Sequence, residues 1–132
     1  MATIFTRIVQ GEIPCHKIAE DDRFYAFLDI NPVQRGHTLV IPKKEIDYIF
    51  DLPAEESGAL FIFAQRVAKA IQKVIPCTRI GVAVLGMEVP HAHIHLVPMT
   101  HNSDLDFSKP RCVLTPQELM QTAELISKAF HS

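Results

Sequence analysis

Residues 91–98 read His-Ala-His-Ile-His-Leu-Val-Pro, which sets three histidines on alternate positions of an otherwise apolar run. Successive side chains of a β-strand point to opposite faces, so a period of two is a strand signature. The pattern predicts His91, His93 and His95 on one face and Ala92, Ile94 and Leu96 on the other, turned toward a core. Imidazoles aligned on a core strand are costly unless they are hydrogen-bonded or chemically employed. This strand is therefore where chemistry is sought first. Taken alone it fits three readings. One imidazole attacks a phosphorus or acyl centre while its neighbours orient it; a His-x-His pair binds zinc with a third ligand from elsewhere; or the histidines are satisfied, half-buried and without a role.

The rest of the chain supplies partners for this strand. Cys15–Ala19, Phe24–Leu28, Thr38–Ile41 and Arg79–Leu85 are extended candidates, punctuated by Glu20-Asp21-Asp22, Asn31-Pro32 and Gly36. Short intervening turns favour antiparallel pairing. Ile4–Val9 keeps its apolar residues at helical spacing and stops at Gly11, which predicts a short helix. A long helix opens with Pro53 and two acids, Glu55 and Glu56. Leu60, Ala64, Val67, Ala68, Ile71 and Val74 form its apolar stripe, and Pro76 ends it. Thr115-Pro116-Gln117-Glu118 has the form of a capping box, with Leu119, Ala123, Ile126 and Phe130 on the inner face of the helix it opens, over residues 115–130. The predicted class is α+β: a five-stranded antiparallel sheet carrying one long helix and shorter ones.

A chain of 132 residues is one domain's length, residues 1–132 here. The net charge of −2 comes from 13 basic and 15 acidic side chains with no long block of either sign, which argues against a nucleic-acid partner held by bulk charge. No apolar run approaches a membrane span, and the first residues lack a charged leader followed by an apolar stretch. Cys15, Cys77 and Cys112 include no C-x-x-C pair and read as reduced, inert packing thiols. A cytoplasmic location is expected on these grounds.

Residues 91–97 resemble the H-φ-H-φ-H-φ-φ signature of the histidine triad (HIT) family of nucleotidyl hydrolases and transferases. Phe5–Pro14, Glu20-Asp21-Asp22, Ala26–Pro32 and Gly36–Lys44 are similar to the Hint branch and its bacterial relatives. The likeness covers most of residues 4–98 in order; the tail after Thr100 adds nothing diagnostic.

This resemblance implies the HIT fold and a role for each matching position. His93 aligns with the nucleophile that attacks the α-phosphorus, and His95 with a phosphate-contacting histidine. His91 and His37 align with members that orient the cluster. Asp29 aligns with the carboxylate that takes the ribose hydroxyls, and Phe5, Ile8 and Ile30 with apolar walls around the base. Asn31 is a further nucleotide-binding candidate, although its pairing with Pro32 suits an ordinary turn equally well. Lys43 and Lys44 match the family pattern but read most simply as solvated loop charges.

The chain also departs from the family pattern. Some members hold a structural zinc through C-x-x-C near the start, a His after P-K-K and a triad histidine. Thr3, Thr6 and Glu45 stand at the first three of those positions, so no structural zinc and no cofactor are expected. No acid or Cys is obviously placed to complete a metal site on the triad. Ala83 and Met87 replace an Asn and a Gln common in Hint chains. Glu88, three residues before His91, reads as a leaving-group contact or a loop carboxylate.

The expected activity is hydrolysis of a purine nucleoside 5′-phosphoramidate, or a related nucleotidyl conjugate, through a covalent nucleotidyl-histidine. Alternatives are a Fhit-like dinucleoside polyphosphate hydrolase and a nucleotide-binding protein without useful catalysis. The resemblance further implies a homodimer joined through the long helix and an edge strand.

Overall fold

Five strands, β1 (Lys17–Glu20), β2 (Phe24–Leu28), β3 (Thr38–Pro42), β4 (Arg79–Ala83) and β5 (Ile94–Met99), form one antiparallel sheet in the computed structural model, which describes residues 2–132. Their order is β1-β2-β3-β5-β4, so β5 lies inside the sheet between β3 and the edge strand β4. Three helices, α1 (Ile4–Val9), α2 (Ala54–Val74) and α3 (Pro116–His131), complete the fold. This is the α+β architecture expected from the sequence.

Every residue of β2 and β3 is buried, because both faces of the sheet are covered. On one face, Phe24, Ala26, Leu28, Val40, Ile94 and Leu96 pack with Leu60, Phe63, Ala64, Val67 and Ile71 of α2 and with Leu119, Ala123 and Ile126 of α3. The alternate side chains Tyr25, Phe27, Leu39 and Ile41 meet Phe5 and Ile8 of α1 on the other face. Local signals set the helix starts. The Thr3 hydroxyl caps α1 by accepting from Thr6 N, and α3 opens with the predicted reciprocal box between Thr115 and Glu118. Gly36 turns the chain into β3 at φ +93°, and a Cβ there would lie 3.1 Å from Ile75 Cγ1. Glycine therefore suits the position on both counts.

The triad strand starts later than its alternation suggests. Residues 91–93 lie outside the sheet, and β5 begins at Ile94. Extending the β3–β5 register, in which Val40 faces Ile94, would set Ala92 opposite Pro42. Proline has no N–H for the ladder, so pairing stops there. Ala92 N instead donates to Ile46 O, and His91 N to Val89 O. β1 also begins two residues later than predicted, with a register irregularity between Lys17 and Ala19. β4 ends at Ala83 rather than Leu85, ahead of a turn at Gly86 with φ +75°. Among the described residues, no helix is long and apolar enough to cross a membrane.

Candidate active site

One cavity of about 360 Å³ opens beside the end of β5, a size ordinary for small-molecule sites. Phe5, Asp29, Leu39, Glu88, His93 and His95 line it, together with Phe107 and Arg111 from the segment between β5 and α3. A more open groove of about 470 Å³ lies elsewhere, between β1 and α3, and contains none of the triad. The smaller cavity holds the converging imidazoles and is the candidate site.

Hydrogen-bond partners assign a tautomer to each buried ring. His37 Nδ1 accepts from Val33 N at 3.1 Å, so the ring proton sits on Nε2. That Nε2 lies 2.9 Å from His95 Nδ1 and donates to it. His95 therefore carries its own proton on Nε2. His93 Nδ1 is 2.8 Å from the His91 carbonyl oxygen, which can only accept, so Nδ1 carries a proton and the lone pair of the neutral ring is the one on Nε2. His91 Nε2 donates to Pro42 O at 2.8 Å, leaving Nδ1 to accept from the Thr3 hydroxyl at 2.8 Å. His37 and His95 are therefore neutral, since each has a ring nitrogen that accepts.

Electrostatics agree. Burial, reinforced by His95, Arg111 and His93, lowers the pKa of His37 to about 3. Burial, reinforced by His93 and Arg111, lowers that of His95 to about 4. His91 is lowered too, by burial first, against the opposing pull of the Pro42 carbonyl and Glu45. Desolvation raises the carboxyl of Asp29, while the Asn31 N–H donating to Oδ1 at 2.8 Å opposes the shift. The surroundings disfavour added positive charge on His37 and His95, which suits a cluster built to work with neutral imidazoles.

The structure gathers some of the sequence candidates and separates others. Phe5, Asp29, Glu88, His93 and His95 share the cavity wall. His37 and His91 lie behind it, fully buried, each bonded to a member of the working pair. The three triad rings share the α1 side of the sheet, as expected: the Phe5 ring meets those of His91 and His93, and the His93 ring lies 4.9 Å from that of His95, while Ala92, Ile94 and Leu96 pack on the opposite face. Ile8 belongs to the core under α1. Ile30 is 63% exposed, and neither it nor Asn31 is on the cavity wall. Asn31 acts through its backbone, donating to Asp29 and accepting from Arg111 Nη1 at 2.9 Å.

Phe107 and Arg111 come from a segment with no periodic pattern. It is tied down by Cys112 N donating to Pro32 O at 2.8 Å and by Gln34 Nε2 donating to Asp104 Oδ1 at 3.2 Å. These bonds bring the Phe107 ring 4.7 Å from that of His95, with the Arg111 guanidinium 5.5 Å from the Phe107 centroid. Ala83, in the position where an Asn is common, faces His95 directly across β4 and β5. No amide reaches the site from there.

Two side-chain clusters carry potential metal donors. Asp29, His37 and His95 place one donor atom each within 4.8 Å of one another, so an acid does stand beside the histidines, contrary to the sequence expectation. Coordination through His37 Nε2 would move its proton to Nδ1, where it would oppose the Val33 N–H. That set fits a cation poorly. The second cluster comprises Thr3, Thr6, Glu45 and His91, which meet as a hydrogen-bonded group. Two hydroxyls and one carboxylate are weak substitutes for thiolates and imidazole at a tetrahedral zinc.

The HIT domain model matches residues 10–102, which contain the whole sheet and four of the five cavity-wall residues expected from the sequence. The chain belongs to the HIT family. Among its relatives is the adenosine 5′-monophosphoramidase of Schizosaccharomyces pombe, 33% identical over 129 residues, spanning 96% of this chain and 97% of that protein. The solved HIT-like protein of Bartonella henselae superposes with a TM-score of 0.82 at 30% identity, covering 96% of this chain and 95% of its own. A zinc-bound histidine triad protein of Mycobacterium smegmatis does so with a TM-score of 0.84 at 31% identity, covering 99% and 94%.

Proposed function

We propose that this HIT protein hydrolyses purine nucleoside 5′-phosphoramidates, or closely related nucleotidyl conjugates, to the nucleoside monophosphate. The observation that carries the reading is the bond from His93 Nδ1 to the His91 carbonyl, 2.8 Å long, which leaves Nε2 free to attack. The Nε2–P bond forms as the bond from phosphorus to nitrogen breaks, and the nitrogen takes up a proton from solvent to depart as the amine; the water that later attacks returns that proton. The positive charge that then develops on the ring is stabilised through the Nδ1 proton by the same carbonyl. The His95 Nε2–H, its direction set by the His37 relay, donates to the phosphoryl group where negative charge gathers. Water then attacks phosphorus in line, releases the monophosphate and restores His93. Asp29 at the cavity edge takes the ribose hydroxyls, and Phe5, Leu39, Val89 and Phe107 offer apolar surface to the base. The activity for which the S. pombe relative is named supports the substrate class.

The test is adenosine 5′-phosphoramidate turnover in EDTA. Wild type should release AMP, and His93→Ala should lose on the order of a thousandfold or more in kcat. Equal turnover by the two proteins would refute the reading. One observation favours a second substrate class: Arg111 sets a cation on the cavity wall, which suits a leaving group that carries phosphates of its own, as in dinucleoside polyphosphates. Relative kcat/KM for the two substrates decides between them.

We also propose a homodimer through β4 and α2. β4 is an open sheet edge, and Val82 on it is 51% exposed beside Phe61 of α2. An apolar groove of about 240 Å³ lined by Phe61, Ala68, Val82 and Leu96 joins the two elements. Such a surface suits pairing with a second edge. Light scattering after size exclusion should give twice the chain mass, and Phe61→Glu should give a monomer. A wild-type monomer at micromolar concentration would contradict the proposal.

A further inference from the structure

Glu45 lies outside the cavity, yet its Oε1 accepts two short hydrogen bonds, from Thr3 N and from Thr6 Oγ1, both 2.7 Å. The Thr3 hydroxyl, which caps α1, stands 2.8 Å from His91 Nδ1, and the Thr6 hydroxyl stands 3.4 Å from the same nitrogen. Four side chains from three distant stretches therefore meet at one point: the start of α1, the turn after β3 and the approach to β5. The bond from Ala92 N to Ile46 O ties the last two stretches again one residue further along.

We infer that Glu45, Thr6 and Thr3 form a clasp that holds His91, and through His91 sets the position of the His93 ring. The clasp reaches His93 by two routes. The first is the backbone: the locked His91 ring fixes its own residue, whose carbonyl grips His93 Nδ1. The second is α1, which at six residues is too short to persist without outside support. It carries Phe5, whose ring lies edge-on to His93 at 5.0 Å and to His91 at 5.7 Å. A helix anchored at Thr3 and Thr6 holds Phe5 against both rings, whereas an unanchored one lets Phe5 and His93 drift together. Because well-aligned attack is sensitive to displacements of about 1 Å, loosening the clasp should act on the chemical step.

The inference rests on His93 being the nucleophile, and its test separates the two claims. Glu45→Ala removes the acceptor, while Glu45→Gln keeps a carbonyl oxygen for both donors. Neither change touches the cavity wall. We expect Glu45→Ala to lower kcat for adenosine 5′-phosphoramidate about tenfold or more with KM within about twofold, and Glu45→Gln to restore most of the loss. Ring-nitrogen NMR of labelled histidines should show the His91 and His93 resonances moved in Glu45→Ala and near their wild-type positions in Glu45→Gln. An alanine variant that keeps kcat and both resonances, whatever happens to its melting temperature, overturns the clasp. If wild type does not turn over this substrate, the substrate reading fails by itself. The NMR then decides the clasp alone, with movement supporting it and unchanged resonances overturning it.

Discussion

The two faces of the central strands solve the same burial problem by different means. Toward α2 and α3, Ile94, Leu96 and Val40 bury aliphatic groups that need contact and nothing else. On the cavity side, His93 and His95 are 7% and 8% exposed, and each ring is held by a directional bond to a partner from another part of the chain or a neighbouring residue. Strand neighbours such as Leu96 and His95 thus sit in one ladder under opposite rules. The aliphatic face tolerates small shifts at a graded cost, whereas the histidine face depends on tautomers that must all agree. An aliphatic substitution should therefore lower stability and spare the chemistry of molecules that remain folded, while a change in one imidazole should reach the others.

Acid should expose this difference most strongly. Folding lowers the pKa of His37 to about 3 and of His95 to about 4, from an ordinary value of 6.5. Because the folded values lie below the unfolded one, their contribution is complete above pH 6.5 and is lost as pH falls through 6.5 toward those values. Each imidazole contributes a slope approaching about 1.4 kcal/mol per pH unit in that window. Urea unfolding between pH 7 and pH 5 should thus lose on the order of 3 kcal/mol from the pair. His37→Gln, which keeps a donor for His95, should flatten the slope; an unchanged slope would contradict the burial of a neutral ring there.

Leu96→Ala on the opposite face should cost about 3 kcal/mol through the cavity it leaves. Its stability curve should be displaced downward at every pH with the slope intact. A change of slope would mean that the two faces are coupled.

A smaller effect should come from Arg111. Arg111→Gln should raise KM for a dinucleoside polyphosphate about tenfold and alter phosphoramidate turnover much less, since one charge-assisted contact is worth about 1.5 kcal/mol. Equal effects on both substrates would place Arg111 on the nucleotidyl half they share.

The same contrast explains which features were legible in the sequence. Periodic burial announces itself, and Leu60, Val67 and Ile71 on α2 and Leu119, Ala123 and Ile126 on α3 were recovered from spacing alone. Caps are local signals too, and the Thr115–Glu118 box was readable for that reason. The site was legible only where the family pattern reached. Phe107 and Arg111 follow no period, and the bonds that bring them to His95 run from residues 104–112 back to residues 31–34. The start of β5 was misplaced because the residue that ends its ladder, Pro42, lies about fifty positions away on a neighbouring strand. In the sequence Glu45 stands only where a metal ligand is missing, and its bonds to Thr3 and Thr6 emerge only when α1 folds over it.

The central claim is that the His93 Nε2 lone pair, presented by the His91 carbonyl, forms a bond to phosphorus. The most direct measurement is intact and peptide mass spectrometry after rapid acid-free quenching of the protein with adenosine 5′-phosphoramidate in EDTA. An adenylyl adduct should appear on His93, forming and decaying at rates compatible with turnover, and none should appear in His93→Ala. Turnover at full rate with no adduct, or an adduct that persists when His93 is replaced, would contradict it.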